Sequence, residues 1–345
     1  MNENRGDKVS VVVPVYGSAG ILPETHRRLT GALSSLSGCD YEVIYVNDGS
    51  PDDALAVLRT IVGSDDRARL IALSRNFGHQ AAITAGLDSA VGDAVVIIDD
   101  DLQDPPEVIA QMVDCWRHGN EVVYGVRVVR RGESVFKRAS AKIFYRFLSL
   151  LSERPLPLDA GDFRLLDRKV VEVLKNMREE SRYMRGMVSW VGFKQCPLKY
   201  ERDARYAGKS NYSLRHQIRL ALDGIASFST RPLALSSAVG ALVTVCACFV
   251  AVWLIVQRLV DPTSVLRGTT TVLLVVLFMG GVQLMTIGIV GTYLGKVFTE
   301  TKRRPLYVTA ERVGFDEPAA PPPGARAEEA ETTGTDEDAR GMGKD

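Results

Sequence analysis

The chain is poor in features that usually announce a function. Its five cysteines (Cys39, Cys115, Cys196, Cys246, Cys248) form no CxxC and no paired framework. They read as reduced structural thiols in a cytosol-facing protein, with no metal site among them. The four histidines (His26, His79, His118, His216) are scattered without ligand spacing. Lys plus Arg and Asp plus Glu both total 42, for a formal net charge of +0. Overall charge therefore gives no pointer to nucleic acid. There is no GxGxxG and no GxxxxGK[ST], so neither a dinucleotide fingerprint nor a P-loop is available. The first residues are polar and the apolar run from Val9 is short, so no signal peptide is expected.

What is present falls into two parts. In the first part, five strands are predicted at Val9–Val15, Tyr41–Val46, Arg69–Leu73, Ala94–Ile98 and Glu121–Tyr124. Helical stretches lie between them, at about Leu22–Leu36, Pro51–Val62, His79–Ala90 and Pro105–His118. Val9–Val15 is almost wholly β-branched, as a strand buried on both faces should be. Alternation of this kind predicts an α/β domain with a mostly parallel, doubly wound sheet and right-handed crossovers. In such sheets the ligand crevice forms at the carboxyl ends of the strands. Two acidic loops fall there: NDGSPDD, with Asp48, and IIDDDLQDPP, with Asp99, Asp100 and Asp101. Three crowded carboxylates repel one another unless a cation sits among them, and a hard divalent ion on a phosphorylated substrate is the natural candidate. The alternative is an acidic turn that caps the next helix.

The second part is apolar. Leu233–Val256 and Thr271–Val297 each exceed the ~20 residues that cross a bilayer core. A short link joins them. Arg215, Arg219 and Arg231 precede the pair, and Lys302, Arg303 and Arg304 follow it. The positive-inside rule then predicts a multi-pass inner-membrane protein with the first domain and both termini cytoplasmic. From residue 309 onward the composition is rich in Pro, Ala, Gly and acid, and a disordered tail (309–345) is expected.

The segments VVVPVYG, EVIYVNDGSPDD, LSRNFGHQAAITAGLDSAVGD and VIIDDDLQDPPE, in this order, resemble glycosyltransferase family 2, with the GT-A fold. GVRVVRRGESVFKR, AGDFRLLDRKVV, RYMRGMVSWVGFKQ and YERDARYAGKSNYS, followed by two apolar runs, resemble its polyisoprenyl-phosphate glycosyltransferases. These include bactoprenol glucosyl transferases and dolichol-phosphate mannose synthases. The resemblance covers roughly residues 8 to 308. It implies a GT-A domain over residues 1–230, with amphipathic surface helices at about 134–152 and 211–229. Transmembrane helices would follow at 233–257 and 270–297. The implied reaction is inverting transfer of one sugar from a nucleotide sugar, UDP-glucose first, to a polyprenyl phosphate.

Site residues follow from the resemblance. Asp99, Asp101 and Gln103 would hold Mg²⁺ or Mn²⁺ on the nucleotide diphosphate. Asp48 would contact the nucleobase, Pro14 and Tyr16 would line its pocket, and Asp100 would reach the ribose. Arg127, Arg131 and Arg205 would bind phosphates of donor or acceptor, with Arg202 and Lys209 in the same basic loop as Arg205. Asn211 replaces the Lys of the family's GxSK pattern, and Gly17–Ser18 replaces its Asn–Glu. Asp162 matches a carboxylate beside the reacting centre, with the cap of the following helix as its alternative. Arg182 and Arg185 are candidates for acceptor phosphate or lipid headgroups. A homo-tetramer is implied by resemblance, and glycines in the second apolar run would permit close helix packing. GDP-mannose as donor, a processive polysaccharide synthase and a non-catalytic lipid-binding membrane partner are the competing readings. The synthase normally carries QxxRW, and no such motif occurs here.

Overall fold

The β-branched run at the start of the chain forms the central strand of the molecule. The structure, a computed structural model, describes residues 6–127, 160–180, 182–201, 231–260 and 269–315. Strand β1 (Asp7–Val15) pairs in parallel with β2 (Cys39–Asn47) on one side and β4 (Ala94–Ile97) on the other. Strand β3 (Ala68–Leu73) continues beyond β2, also parallel. Helices α1 (Leu22–Ser34), α2 (Ala54–Ser64) and α3 (His79–Ser89) supply the crossovers, and α4 (Val108–Arg117) follows β4.

Beyond β4 the order departs from the chain order. Strand β6 (Ala160–Asp167) runs antiparallel between β4 and β5 (Val122–Arg127), and β7 (Gln195–Tyr200) lies parallel to β5 at the edge. The full sheet reads β7-β5-β6-β4-β1-β2-β3-β8. Arg127 is the last residue of β5. Helices α5 (Arg168–Asn176) and α6 (Met184–Val191) lie between β6 and β7 in sequence.

Both faces of the sheet are covered. Val9, Val11, Val13 and Val15 pack with Leu22, Leu29, Leu58, Ile109 and Met112, from α1, α2 and α4. Val12, Ile44 and Val95 point the other way, onto Ile83, Leu87, Val170, Leu174 and Met187, from α3, α5 and α6. That two-sided burial is why β1 shows no polar alternation. Each fully buried Val or Leu contributes about 1.5–3 kcal/mol of transfer free energy. Gly86 lets α3 lie against β1, since a Cβ there would come within 2.2 Å of Val12.

Two long helices follow, α7 (Arg231–Val260) and α8 (Thr269–Thr301). Phe278–Thr301 is long and apolar enough to cross a membrane, whereas α7 carries a shorter apolar stretch, Ser236–Val250. Large apolar side chains on both stay exposed, Phe249 at 72% and Leu284 at 71%.

The expectation of disorder from residue 309 is corrected. Thr309–Val313 forms β8, which pairs antiparallel with β3. Arg59 clasps Glu311 through Nε and Nη2 at 3.1 and 2.6 Å, and the Tyr307 hydroxyl donates to Asp88 at 2.8 Å. The reason is local. A five-residue strand covers the open hydrogen-bonding edge of β3, and the Pro- and acid-rich composition after it masks so short an element. The expected amphipathic helices at 134–152 and 211–229, and the tail from 316, lie outside the described residues.

Candidate functional site

The carboxyl ends of β1, β2 and β4 lie side by side, so three loops meet at one rim. Two hydrogen bonds tie the first loop to the second. Gly17 N–H donates to Ser50 Oγ at 3.2 Å, and Ala19 N–H donates to Asp52 at 2.9 Å. The first loop and the helix after it also reach the third: the Ser18 hydroxyl donates to the Asp100 carboxylate, and Thr25 Oγ1 of α1 donates to the Asp100 carbonyl at 3.0 Å. Gly17–Ser18, the departure from the family pattern, is therefore what grips the middle aspartate.

Asp48 and Asp99 differ sharply in what surrounds them. Asp48 is 3% exposed and accepts N–H bonds from Phe77 (2.7 Å) and Gly78 (2.9 Å). Burial raises its carboxyl above the ordinary value, and those two N–H groups oppose the rise. It thereby fixes the turn that opens α3. Gly78 in that turn adopts φ +100, a conformation open to glycine. Asp99 Oδ1, by contrast, is buried without a hydrogen bond among the described residues. Burial and the neighbouring carboxylates push Asp99 up to about 6, against the pull of His79. Asp100 is pushed up to about 7 for the same reasons, with the Ser18 bond opposing.

The acidic loop does not cap the next helix. Helix α4 has Glu107 at its N-cap, with no side-chain cap bond. Asp101 instead accepts the N–H of Gln103 at 3.1 Å, an Asx-type turn. Leu102 between them is 3% exposed and takes a left-handed φ of +54, unusual for a branched side chain and typical of strained functional loops. Next in line, the buried Asp104 accepts a hydrogen bond from the Tyr200 hydroxyl.

Strand β6 brings in the other half of the site. Asp162 is bound by Arg185 through both oxygens, at 3.0 and 3.2 Å. His79 Nε2 lies 3.6 Å from Asp162 and 3.5 Å from Asp99. Burial would raise the Asp162 carboxyl, but His79 and Arg185 outweigh it and hold it well below the usual carboxylate range. The helix that follows β6 is capped by Asp167, whose carboxylate accepts Lys169 N–H at 3.0 Å, so Asp162 is no cap. Arg164 is buried beside this pair, with Nη2 on the Gly161 carbonyl at 2.9 Å; burial lowers it to about 10.

The sequence-predicted residues divide four ways. Asp48, Asp99, Asp100, Asp101, Gln103 and Asp162 line this rim, with Pro14 buried at the end of β1 and Tyr16 exposed just past it. Arg127 ends β5 in register with Tyr200. Arg131, Arg202, Arg205 and Lys209 lie outside the described residues. Arg182 turns away from the site: its guanidinium donates to the Met177 and Leu174 carbonyls at the end of α5. His79 and Asp104 were missed. His79 was legible only as the first residue of a helix at the same rim, and Asp104 only as the acid before Pro–Pro–Glu at a helix start.

The donor set suits a hard cation. It consists of carboxylate oxygens, one without a hydrogen bond, in a loop whose acids resist ionising together. Among the described residues no group of three or more His, Cys, Asp or Glu forms a ready-made cage. That pattern suits Mg²⁺-like ions, which take one or two carboxylates and complete their shell with water and substrate phosphate.

The glycosyl transferase family 2 model matches residues 10–175. An uncharacterised glycosyltransferase of Bacillus subtilis is 42% identical over 313 residues, covering 91% of this chain and 96% of the relative. A prophage bactoprenol glucosyl transferase homologue of Escherichia coli is 36% identical, covering 87% of this chain and 98% of its own. The bactoprenol glucosyl transferase of Shigella phage SfX is 37% identical, over 88% and 99%. With its GT-A-like α/β fold, its acidic rim and this end-to-end similarity, the chain belongs to glycosyl transferase family 2.

Proposed function

We propose that this protein transfers one sugar, with inversion, from a nucleotide sugar to a polyprenyl phosphate at the cytoplasmic face of the membrane. The observation that carries the reading is the Asp99–Asp101 rim facing Asp162–Arg185, in a chain similar along its whole catalytic and helical length to bactoprenol glucosyl transferases. UDP-glucose is the first donor on that similarity. The apolar exposure of α7 and α8 supports a two-helix anchor, and the basic residues flanking the pair favour both termini on the cytoplasmic side.

Asp99, Asp101 and Gln103 would hold Mg²⁺ or Mn²⁺. When bound, the ion neutralises charge that develops on the departing nucleoside diphosphate. Pro14, Tyr16 and Asp48 bound the base pocket, and Asp100 reaches the ribose. The acceptor needs no general base. A lipid phosphate has its second pKa near ~6 and is already an anionic nucleophile at neutral pH. Asp162, engaged at both oxygens by Arg185 and held ionised, is a poor proton acceptor and serves to orient. Arg127, Arg131, Arg202, Arg205 and Lys209 supply the cations that position the phosphates. The acceptor oxygen then attacks C1 from the face opposite the leaving diphosphate.

The test is transfer of radiolabel from UDP-[¹⁴C]glucose to undecaprenyl phosphate in detergent micelles with Mn²⁺. Label in the organic-soluble fraction, sensitive to EDTA, is the expected result. Label from GDP-mannose alone would change the donor. Aqueous polymer would indicate a synthase, and no transfer from a panel of donors would sink the enzymatic reading.

A further inference from the structure

His79 has no task in the reaction just described, yet its position is closely specified. It is the first residue of α3. The glycine-only conformation of Gly78 and the grip of Asp48 on the Phe77 and Gly78 N–H groups set the turn that delivers it. One ring nitrogen meets both carboxylates, with Nε2 3.5 Å from Asp99 Oδ1 and 3.6 Å from Asp162 Oδ2. These two acids come from different places: Asp99 from the loop after β4, Asp162 from β6. Asp162 is already engaged at both oxygens by Arg185, whereas Asp99 Oδ1 has no hydrogen bond. The result is a chain of alternating groups, Arg185–Asp162–His79–Asp99, that crosses from the acceptor side of the rim to the donor side.

We infer that His79 is a positioning residue that sets the separation of Asp99 from Asp162, and through it the alignment of acceptor phosphate with donor sugar. The inference rests on the transferase reading for which side is donor and which acceptor. Two carboxylates facing each other across a cleft repel. An imidazole N–H between them replaces repulsion with attraction to both. In-line displacement needs reacting atoms within about 3–3.5 Å, and a misplacement of ~1 Å can cost about 100-fold. Donor affinity rests on the base, the ribose and the ion, so it is not the quantity His79 controls.

The experiment uses the full-length protein in detergent, with His79→Ala, His79→Gln, Asp162→Asn and the double variant His79→Ala/Asp162→Asn. Glutamine places an N–H donor near the position of Nε2. His79→Ala should lower kcat by about 10- to 100-fold while donor KM and calorimetric affinity for UDP with Mn²⁺ stay within about twofold. His79→Gln should recover most of that loss. The drop in melting temperature caused by His79→Ala should shrink once Asp162 is Asn, because contacting residues couple. Wild-type turnover in His79→Ala would overturn the inference. So would a loss of donor affinity in step with kcat, which would put His79 at the ion rather than between the two acids. Equal losses in the Ala and Gln variants with additive melting shifts would also overturn it, leaving only a structural role. If the wild-type protein transferred sugar from no donor, the transferase reading would fall instead. The melting-temperature cycle would then decide alone, coupled shifts supporting the bridge and additive shifts refuting it.

Discussion

Asp48 and Asp99 are the same residue type, each just beyond the end of a parallel strand at one rim, and they do opposite things. Asp48 spends both oxygens on backbone N–H groups and so builds the loop that carries His79. Asp99 keeps a buried oxygen without a hydrogen bond, next to two further acids. One carboxylate is satisfied by backbone N–H groups, and the other has an oxygen with no hydrogen bond, 3.5 Å from the His79 imidazole. The comparison shows why position on a rim does not by itself define a ligand. The count of partners does, because a buried acceptor left unpaired costs about 1–3 kcal/mol unless something binds it.

That contrast can be broken most directly by removing the acids proposed to hold the ion. Asp99→Ala and Asp101→Ala should each lower transfer by about 1,000-fold or more, on the order of 4 kcal/mol, with the melting temperature nearly unchanged. Asp99→Asn should go further and raise the melting temperature of the metal-free protein, since it relieves crowding among like charges. Radiolabel transfer and thermal melts read both. Asp48→Ala should act on stability first. It strands two N–H groups and should destabilise the protein by about 2–3 kcal/mol, seen as an earlier denaturant midpoint at unchanged slope.

The acidity of the rim gives the next effect. Asp99 and Asp100 hold protons up to about 6 and about 7, above their ordinary value. Groups raised in this way favour the folded state at low pH, and that contribution is lost as pH rises through the shifted values. Metal-free stability should therefore fall between about pH 4 and pH 7, relative to a variant with both acids replaced by Asn. Because the ion competes with those protons, the rise in melting temperature on adding Mn²⁺ should grow over the same range. A Mn²⁺ effect independent of pH would contradict the assignment. Asp100→Ala should cost transfer only about tenfold, about 1.4 kcal/mol, less than either neighbour. It loses the bond from Ser18 and the proposed contact to the ribose, but no proposed ion ligand. Smallest of all, Glu311→Ala should change stability by no more than about 1 kcal/mol, because its pair with Arg59 is largely solvated.

Much of the first domain was legible in the sequence. The five strands and four helices read from apolar periodicity all form, with boundaries shifted by a few residues; the second helix starts at Ala54 rather than Pro51. Strand β6 was the gap in that reading. AGDFRLLD carries a family motif that masks its strand character, and only its pairing with β4 and β5 shows that it belongs to the sheet. Strand β8 was hidden by the composition around it. In the site, Asp99, Asp101 and Asp162 were read from motifs. The partner of Asp162 was not, because Arg185 lies 23 residues away and on another element.

The sequence by itself determined the layered α/β domain, the acidic rim and the apolar pair of helices. These follow from local patterns: β-branched runs, strand-end aspartates and long uncharged stretches, each acting within a few residues. Only the tertiary structure decided which aspartate is satisfied and which is not, and which histidine among four matters. His79 lies 20 residues before Asp99 and 83 before Asp162 in sequence. Its role depends on where β4 and β6 end in space and on the turn held by Asp48. Hydrogen-bond satisfaction is a property of three-dimensional neighbours, and no periodicity in the chain encodes it.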